Sequence, residues 1–383
     1  MHPEAPADGT TRVALICPYS LSRPGGVQGQ VLGLARSLGR RGDEVTVFAP
    51  VDGAEDAPDD VAFVATGHSV SLRANGSVAP VSLSPRDARS ALRSVRAFAP
   101  DVVHIHEPFA PGLTYALLTS RHLPPMVGTF HRSGSSRLYT LASPLTRPLA
   151  RRLAVRCAVS EAALATAASA LGGSFEVLFN GIETDRFDGV DPWPTDGPTA
   201  LFLGRHEGRK GLSVLLDAWE RVVRDGKGPE APVLWVAGDG PDTDALRRRY
   251  PESAALRWLG VVTEEEKIRR LVAADVLAAP ALGGESFGLV LPEAMAARTV
   301  VVASDIDGYR DVAGGHAVLV PPGDPSALAA ALSGVLSGDL AGGPAGRGAW
   351  LTAGVERAGQ WSMDALATRY EERYRRAMVG AGS

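Results

Sequence analysis

Two carboxylates, Glu285 and Glu293, bracket a turn of small residues that leads into a predicted helix. The apolar run 276–279 before the turn predicts a buried parallel strand, and the apolar residues after it recur at helical spacing. The first N–H groups of a helix have no partner inside the helix, and the helix dipole favours negative charge. We therefore expect the amides of 286–290 to hold the diphosphate of a nucleotide sugar. Glu285 would face the sugar, and Glu293, about two turns into the helix, would reach a ribose diol.

Two further segments have the composition of a phosphate-binding site. Arg205 and Lys210 follow a predicted strand that ends at Gly204, and they place two positive charges on one loop. Gly25 and Gly26 stand between a strand and a helix, where missing side chains let backbone N–H groups approach a phosphate. A solvated Arg/Lys pair and an ordinary tight turn are the alternatives.

Histidines follow two of the predicted strands. His131 comes just after the strand 126–129, so we expect it at a carboxyl strand end facing the ligand, with a purely structural histidine as the alternative. His104, His106 and Glu107 belong to metal-binding residue types. The two histidines, as alternate residues of a strand, share one face, but no third ligand is evident there, so no metal site is predicted. Asp305-Ile306-Asp307 is interpreted as a loop and helix cap.

Short strands alternate with helical stretches along the chain, which is typical of doubly wound α/β domains. We predict a tail at 1–10 without ordered structure, a first domain at 11–187, a linker at 188–198, a second domain at 199–360 and a helical segment at 361–383. Ligands are expected at the carboxyl ends of the strands, in a cleft between the domains. The predicted strands are 13–17, 44–49, 61–65, 102–106, 126–129, 157–159, 200–203, 233–237, 256–259, 276–279, 300–303 and 317–320.

Length and composition agree with two domains. The chain has 383 residues with 45% hydrophobic content, more than one core usually supports. Its polar, acidic start does not resemble a signal peptide, and no apolar run reaches the roughly 20 residues of a spanning helix, so a cytosolic protein is expected. Cys17 and Cys157 each stand beside strand-like sequence, which predicts buried reduced thiols.

The charge is unevenly distributed. The whole chain carries a net charge of −4, but 61–160 contains twelve arginines and three acidic residues. Arg86, Arg89, Arg93 and Arg96 recur on one face of a predicted helix, which favours binding to an anionic membrane surface, with a solvated helix face as the alternative. Nucleic acid is not predicted as a partner, since no series of stacking aromatics accompanies the charge.

These segments, taken in order, resemble the retaining family-4 glycosyltransferases, in particular the phosphatidylinositol mannosyltransferase branch. The similarity extends over nearly the whole chain. The segments that carry it are 17–20, 24–28, 75–78, 104–108, 129–131, 180–182, 204–205 with 210–211, and 283–295.

The resemblance implies the GT-B fold: two Rossmann-like doubly wound domains facing across a deep cleft, with a C-terminal helix that crosses back to the first domain. It further implies transfer of mannose from GDP-mannose to the inositol of a phosphatidylinositol-type lipid, by a protein peripheral to the inner membrane face. Anomeric configuration would be retained by front-face attack, with the departing phosphate accepting the proton. Arg and Lys would neutralise the diphosphate, so no metal or other cofactor is expected.

The resemblance also assigns residue roles. The implied catalytic residues are His131, Arg205, Lys210 and Glu285. Donor binding would add Gly26, Ser286, Phe287, Gly288, Leu289, Val290, Glu293 and Val261, while the acceptor would be bound by Tyr19, Gln28, Asn75, Ser77 and His131.

The sequence departs from this branch at a few positions. Ala74 stands where the branch tends to carry Tyr, Pro80 replaces an expected Arg, and Arg298 replaces a Gly. One alternative is therefore a family-4 enzyme that uses another nucleotide sugar, such as a UDP-sugar, and a soluble acceptor. Alternatives of another class are a sugar-nucleotide epimerase or hydrolase of the same fold and a non-catalytic binding module.

Overall fold

The chain is divided into two compact units in a computed structural model. The model describes residues 9–23, 25–53, 57–74, 77–132, 143–226, 231–285, 287–339 and 343–380. Unit 1 comprises Met1–Gly181 and Met363–Ser383, and unit 2 comprises Ile182–Ser362. The division between Gly181 and Ile182 lies before the predicted linker at 188–198. Most of the predicted tail, residues 1–8, lies outside the described residues.

Unit 1 is built on a parallel sheet of seven strands in the order β3-β2-β1-β6-β7-β8-β9. The central strands β1, β6 and β7 are buried almost throughout, as expected for a parallel sheet covered on both faces. An antiparallel hairpin of β4 and β5, which the sequence did not predict, stands apart from this sheet. The strands are β1 Arg12–Ile16, β2 Glu44–Ala49, β3 Phe63–Ala65, β4 Val70–Ala74, β5 Ser77–Val81, β6 Val102–His106, β7 Met126–Phe130, β8 Leu153–Ala158 and β9 Glu176–Val177.

The helices of unit 1 connect these strands and cover the sheet. Ser84 caps one of them by accepting a hydrogen bond from the Asp87 N–H at 3.2 Å, and Ser160 caps another through the Ala163 N–H at 3.1 Å. The helices before unit 2 are α1 Gly26–Arg40, α2 Pro85–Phe98, α3 Leu113–Thr119, α4 Ser143–Ala150 and α5 Glu161–Leu171. Cys17 and Cys157 are both buried, as predicted, and neither forms a disulfide.

Unit 2 contains a second parallel sheet, with six strands in the order β12-β11-β10-β13-β14-β15. Its strands are β10 Thr199–Leu203, β11 Val233–Ala237, β12 Leu256–Gly260, β13 Val276–Ala279, β14 Val300–Ser304 and β15 Val318–Val320. Its helices are α6 Leu212–Asp225, α7 Thr243–Arg249, α8 Glu264–Ala273, α9 Val290–Ala296, α10 Asp307–Ala313, α11 Pro325–Leu336 and α12 Gly343–Gly359. Short 3₁₀ helices occur at Thr184–Phe187 and Gly208–Lys210.

The predicted linker, residues 188–198, is part of unit 2 and packs against its helix α8. The indole ring of Trp193 lies 5.0 Å from the guanidinium of Arg269 and 4.3 Å from that of Arg270, and the Trp193 backbone N–H donates to the Arg269 carbonyl at 3.0 Å. Guanidinium groups are attracted to the negative face of an aromatic ring. The Pro- and Gly-rich composition of this segment agrees with its irregular backbone. It does not show that Trp193 holds the segment in place.

The last helix, α13 Met363–Gly380, belongs to unit 1. Arg41 of α1 pairs with Glu371 at 2.5 Å, and Arg373 pairs with Glu176 at 3.0 Å. Tyr370 and Tyr374 of this helix are almost completely buried, and the helix packs against β6, β7 and β8. The Tyr374 hydroxyl and His104 Nδ1, on β6, are joined by a 2.7 Å hydrogen bond, so this helix supplies a polar partner to the core of unit 1.

Replacing Tyr374 with Phe tests how much that hydrogen bond stabilises unit 1. A buried histidine nitrogen would lose its partner, so the opening free energy of the β6 and β7 amides should fall by about 1–3 kcal/mol. Hydrogen exchange is the suitable measurement, because all six tryptophans lie in unit 2 and their fluorescence does not report on unit 1.

Tyr115→Phe is the matched control. The described residues offer the Tyr115 hydroxyl no hydrogen bond, so its loss should change the same opening free energy by less than about 0.5 kcal/mol. Equal effects of the two substitutions would show that the Tyr374 hydroxyl contributes nothing specific.

Candidate active site

The carboxylate of Glu285 is held by two cations in unit 2. Its Oε1 atom lies 2.6 Å from Arg209 Nη1 and 2.7 Å from Lys210 Nζ. The side chain of Glu285 is only 10% exposed, whereas that of Arg209 is 49% exposed. Charge-assisted bonds of this length fix the carboxylate in one position and leave the outer faces of the cations accessible.

Two loops are shaped to make this contact. Gly211 has a left-handed backbone with φ of +70°, and a Cβ there would stand 1.9 Å from the Pro280 carbonyl oxygen. The chain after β13 is held to the same loop by the Leu282 N–H, which donates to the Arg209 carbonyl at 2.8 Å. Glycine at 211 therefore permits the close approach that brings Lys210 to Glu285.

Arg209 is a site residue that the sequence reasoning missed. It bridges Glu207 Oε1, at 2.6 Å, and Glu285 Oε1, so it links the two carboxylates. Arg205 is placed more loosely: its Nε lies 3.7 Å from Glu207, and its side chain is half exposed. The sequence does contain a signal for Arg209, because it stands next to Lys210. A carboxylate such as Glu285 that accepts from one of these side chains can accept from both.

Glu293 does not lie where the sequence predicted. The helix α9 begins at Val290 with Leu289 as its N-cap, so Glu293 belongs to the first turn rather than lying two turns in. The reason is Gly288, which has φ of +66° and lies so close to Tyr309 that a Cβ would stand 2.3 Å from the ring. Helical geometry therefore starts only after Gly288.

The other predicted donor residues differ in what they present. Glu293 pairs with Lys267 at 3.0 Å, and Lys267 also pairs with Glu264 at 2.7 Å. The ring of Phe287 is buried against Trp361, with centroids 5.0 Å apart, so its side chain is part of the core. Val261, after β12, is 79% exposed. Leu289 and Val290 are partly exposed, and Ser286 lies outside the described residues.

Unit 1 places His131 directly after β7 and beside the end of β6. His131 Nε2 lies 2.8 Å from His106 Nδ1, and the His131 backbone N–H donates to Glu107 Oε1 at 2.6 Å. Burial lowers the pKa of His131 to about 4 and that of His104 to about 3. Burial also lowers the pKa of His106 well below its usual value. All three imidazoles are therefore neutral near pH 7.

The acceptor residues predicted in unit 1 have mixed surroundings. Tyr19 is partly exposed, and burial followed by the charge of Glu107 raises the pKa of its hydroxyl. Gln28 is buried, and its amide donates to the carbonyls of Ser20 at 3.2 Å and Arg23 at 3.0 Å, so it braces the loop before α1. Gly26 is the exposed first residue of α1. Asn75 and the side chain of Ser77 lie outside the described residues.

The described residues contain no group of three or more His, Cys, Asp or Glu side chains arranged to hold a metal ion. Asp305 and Asp307 both pair with Arg310, at 2.8 and 2.9 Å. The predicted helix cap is wrong, because the N-cap of α10 is Ile306 and no side chain caps it.

The four arginines on one face of α2 differ in their contacts. Arg86, Arg89 and Arg93 are exposed, and their side chains make no hydrogen bond or ion pair with described residues. Arg96 donates to Ser120 Oγ at 2.7 Å and to the Arg121 carbonyl at 3.2 Å. A groove of 470 Å³ between α2 and α3 adjoins Arg89 and contains the exposed Leu83.

Other arginines of the basic region bind backbone carbonyls. Arg152 donates to Leu118, Arg147 to Ala170 and Arg156 to Gly172, at 2.9–3.0 Å, next to the ends of α3 and α5. Part of the positive charge of this region therefore lies at the C-terminal ends of helices, where it is favourable for the helix dipole. No helix among the described residues is long and apolar enough to cross a membrane.

Comparison with known proteins defines the class. Residues 24–186 match the family described as Glycosyltransferase Family 4, and residues 197–338 match Glycosyl transferases group 1. Among solved structures, a glycosyltransferase from Rickettsia africae has a TM-score of 0.71 at 16% identity and covers 96% of this chain and 99% of that one. A sucrose-phosphate synthase from Thermosynechococcus elongatus has a TM-score of 0.69 at 20% identity, with 97% and 99% covered. These structures confirm the GT-B fold, and the chain is a glycosyltransferase.

Curated relatives narrow the assignment. An enzyme named phosphatidyl-myo-inositol mannosyltransferase from Mycobacterium tuberculosis is 41% identical over 330 residues, which are 84% of this chain and 85% of that protein. The enzyme of the same name from Mycolicibacterium smegmatis is 40% identical over 328 residues, with 84% and 83% covered. The chain therefore belongs to glycosyltransferase family 4, as the resemblance in the sequence predicted.

Proposed function

We propose that this glycosyltransferase moves mannose from GDP-mannose to the inositol of a phosphatidylinositol-type lipid at the cytosolic face of the membrane. The observation that carries the proposal is the cluster in which Glu285 is clamped by Arg209 and Lys210. The identity to relatives named phosphatidyl-myo-inositol mannosyltransferase supports the choice of sugar and acceptor. GDP is the donor nucleotide in this proposal.

The proposed chemistry follows from the charge that the reaction creates. When the bond between the anomeric carbon and the phosphate oxygen breaks, positive charge grows on the sugar and negative charge on the diphosphate. Lys210 and Arg205 carry positive charge on one loop and are partly exposed, so they stabilise the departing diphosphate without moving far. Glu285 lies against Lys210 and would accept hydrogen bonds from sugar hydroxyl groups.

Transfer with retention requires that the acceptor hydroxyl attacks on the face that the phosphate leaves. The acceptor oxygen forms the new bond to the anomeric carbon, the phosphate oxygen departs with the bonding electrons, and the acceptor proton passes to that phosphate oxygen. Arg205 and Lys210 supply the positive charge that a metal ion provides in other designs. His131 contacts the donor sugar, and Tyr19 and the segment around Ser77 contact the inositol phosphate.

The proposed membrane contact rests on α2. Arg86, Arg89 and Arg93 project from a helix whose buried residues are Ala91 and Val95, so the charges lie on its exposed side. Each arginine near an anionic surface contributes about 1 kcal/mol to binding. The adjoining groove with Leu83 adds an apolar surface next to these charges.

Substitution of the cations tests the donor site. Arg205→Ala and Lys210→Ala should each lower kcat for mannosyl transfer from GDP-mannose to phosphatidylinositol by at least about 100-fold, as is typical when one transition-state donor is lost. The control is Arg224→Ala, which removes an exposed arginine that, among the described residues, pairs with its neighbour Asp225 in α6. Rates within a few-fold of the parent enzyme for either cation variant would reject the proposed role.

Vesicle binding tests the arginine face. Changing Arg86, Arg89 and Arg93 to Gln should weaken binding to vesicles containing phosphatidylinositol by about 100-fold, and added salt should weaken the parent protein's binding. Arg96 is left in place because it binds Ser120.

The matched control changes three exposed arginines of unit 2, Arg224, Arg248 and Arg257, to Gln, so that net charge falls equally. Sedimentation with anionic vesicles measures both proteins. Equal losses in the two variants, or binding by the parent that salt does not affect, would remove the membrane contact from the proposal.

A further inference from the structure

His106 and His131 form a hydrogen-bonded pair of neutral rings in unit 1. Their rings are inclined by only 25°, with centroids 5.1 Å apart, and Nδ1 of His106 lies 2.8 Å from Nε2 of His131. A neutral imidazole carries a single N–H, so one ring must donate in this bond and the other must accept. The pair therefore has two possible proton arrangements, and they differ in which nitrogen His131 offers to a ligand.

The second nitrogen of His106 separates these arrangements. His106 is 2% exposed, and its Nε2 has no hydrogen-bond partner among the described residues. If Nε2 carried the proton, a buried N–H donor would remain unsatisfied. If Nδ1 carries it, Nε2 holds only a lone pair. Unsatisfied buried N–H groups are rarer in proteins than under-satisfied acceptors, which favours the proton on Nδ1.

The neighbouring histidine does not offer an alternative. His104 stacks on His106 with ring centroids 4.3 Å apart, but both of its nitrogens are engaged. Its Nδ1 bonds the Tyr374 hydroxyl and its Nε2 bonds Thr129 Oγ1, each at 2.7 Å. Glu107 is also engaged, since its carboxylate accepts the His131 backbone N–H. These contacts hold the stack in place and leave the hydrogen bond from His106 as the contact that acts on the His131 ring.

We propose that His106 is a positioning residue that donates from Nδ1 to Nε2 of His131 and thereby places the His131 proton on Nδ1. His131 is partly exposed, and no described residue bonds its Nδ1. His131 then presents a neutral N–H donor, suited to a sugar hydroxyl or to the oxygen that gains charge as the donor bond breaks. It does not act as a general base. The catalytic part of this inference rests on the proposed transferase function, whereas the proton arrangement does not.

Nitrogen NMR on the full-length protein labelled at histidine tests the proton arrangement directly, without substrate. The couplings between ring nitrogens and ring protons distinguish the two neutral forms, and His131→Asn assigns the His131 signals. The expected result at pH 7 is His131 protonated on Nδ1 and His106 protonated on Nδ1. A His131 ring protonated on Nε2 overturns the proposal.

Two variants of nearly equal shape then test its consequence. His106→Asn can still donate to His131 Nε2, so the proton should stay on Nδ1 and the transfer rate should remain within about 5-fold of the parent. The ionised carboxylate of His106→Asp can only accept, so His131 should carry a proton on Nε2. Where the NMR spectrum shows this ring neutral, Nδ1 has lost its proton and kcat should fall about 100-fold, the effect of losing one donor at a developing charge. A His106→Asp protein that shows the moved proton but the parent's rate overturns the role of the donor.

The test of the proton arrangement does not depend on whether the proposed function is correct. If no mannosyl transfer is found with the parent protein, the NMR result still decides the proton arrangement. If His106→Asp does not fold, the parent spectrum and His106→Asn together decide it: a moved proton or a 100-fold loss in His106→Asn contradicts the proposal.

Discussion

The ion pairs that hold Glu285 join the loop after β13 to the loop that carries Arg209 and Lys210, and the candidate donor site of unit 2 depends on this contact. One carboxylate oxygen accepts from both Arg209 and Lys210, so two neighbouring positive charges are held together by one negative charge. Gly211 lets the loop approach β13, and Gly288 delays the start of α9. Both glycines place polar groups at the carboxyl ends of the parallel strands, where backbone and side chains can bind a ligand. A sugar diphosphate placed there would share Lys210 with Glu285.

The two units differ in the charge of their candidate site residues. Unit 2 gathers charged groups, which suits a reaction whose leaving group becomes more negative. Unit 1 buries neutral imidazoles, because desolvation lowers the pKa of His104, His106 and His131. Neutral rings can donate or accept hydrogen bonds without adding charge to unit 1. The tyrosines of α13 complete this network, so the C-terminal segment contributes to the order of unit 1.

Much of this arrangement could be predicted from the sequence, because parallel strands leave long apolar runs and the residues after them stay near the strand ends. Lys210 and Glu285 follow β10 and β13 in this way. Arg209 was not predicted as a partner of Glu285, because an exposed arginine has many possible partners. Glu293 lies in the first turn of α9 because the left-handed backbone of Gly288 delays the start of the helix. The close contact of Gly288 with the Tyr309 ring is tertiary, so the sequence does not show it. The role of Trp193 depends on two arginines of α8, a tertiary contact without a local sequence signal.

The most direct test of the central claim is a transfer assay that offers GDP-mannose and UDP-sugars separately, with and without phosphatidylinositol vesicles and with a chelator throughout. We predict that a mannosylated inositol lipid with α configuration forms only from GDP-mannose and only when vesicles are present. Transfer from a UDP-sugar to a soluble acceptor would contradict the account, as would hydrolysis of GDP-mannose without lipid product. In either case Ala74 and Pro80 would direct the search for another acceptor.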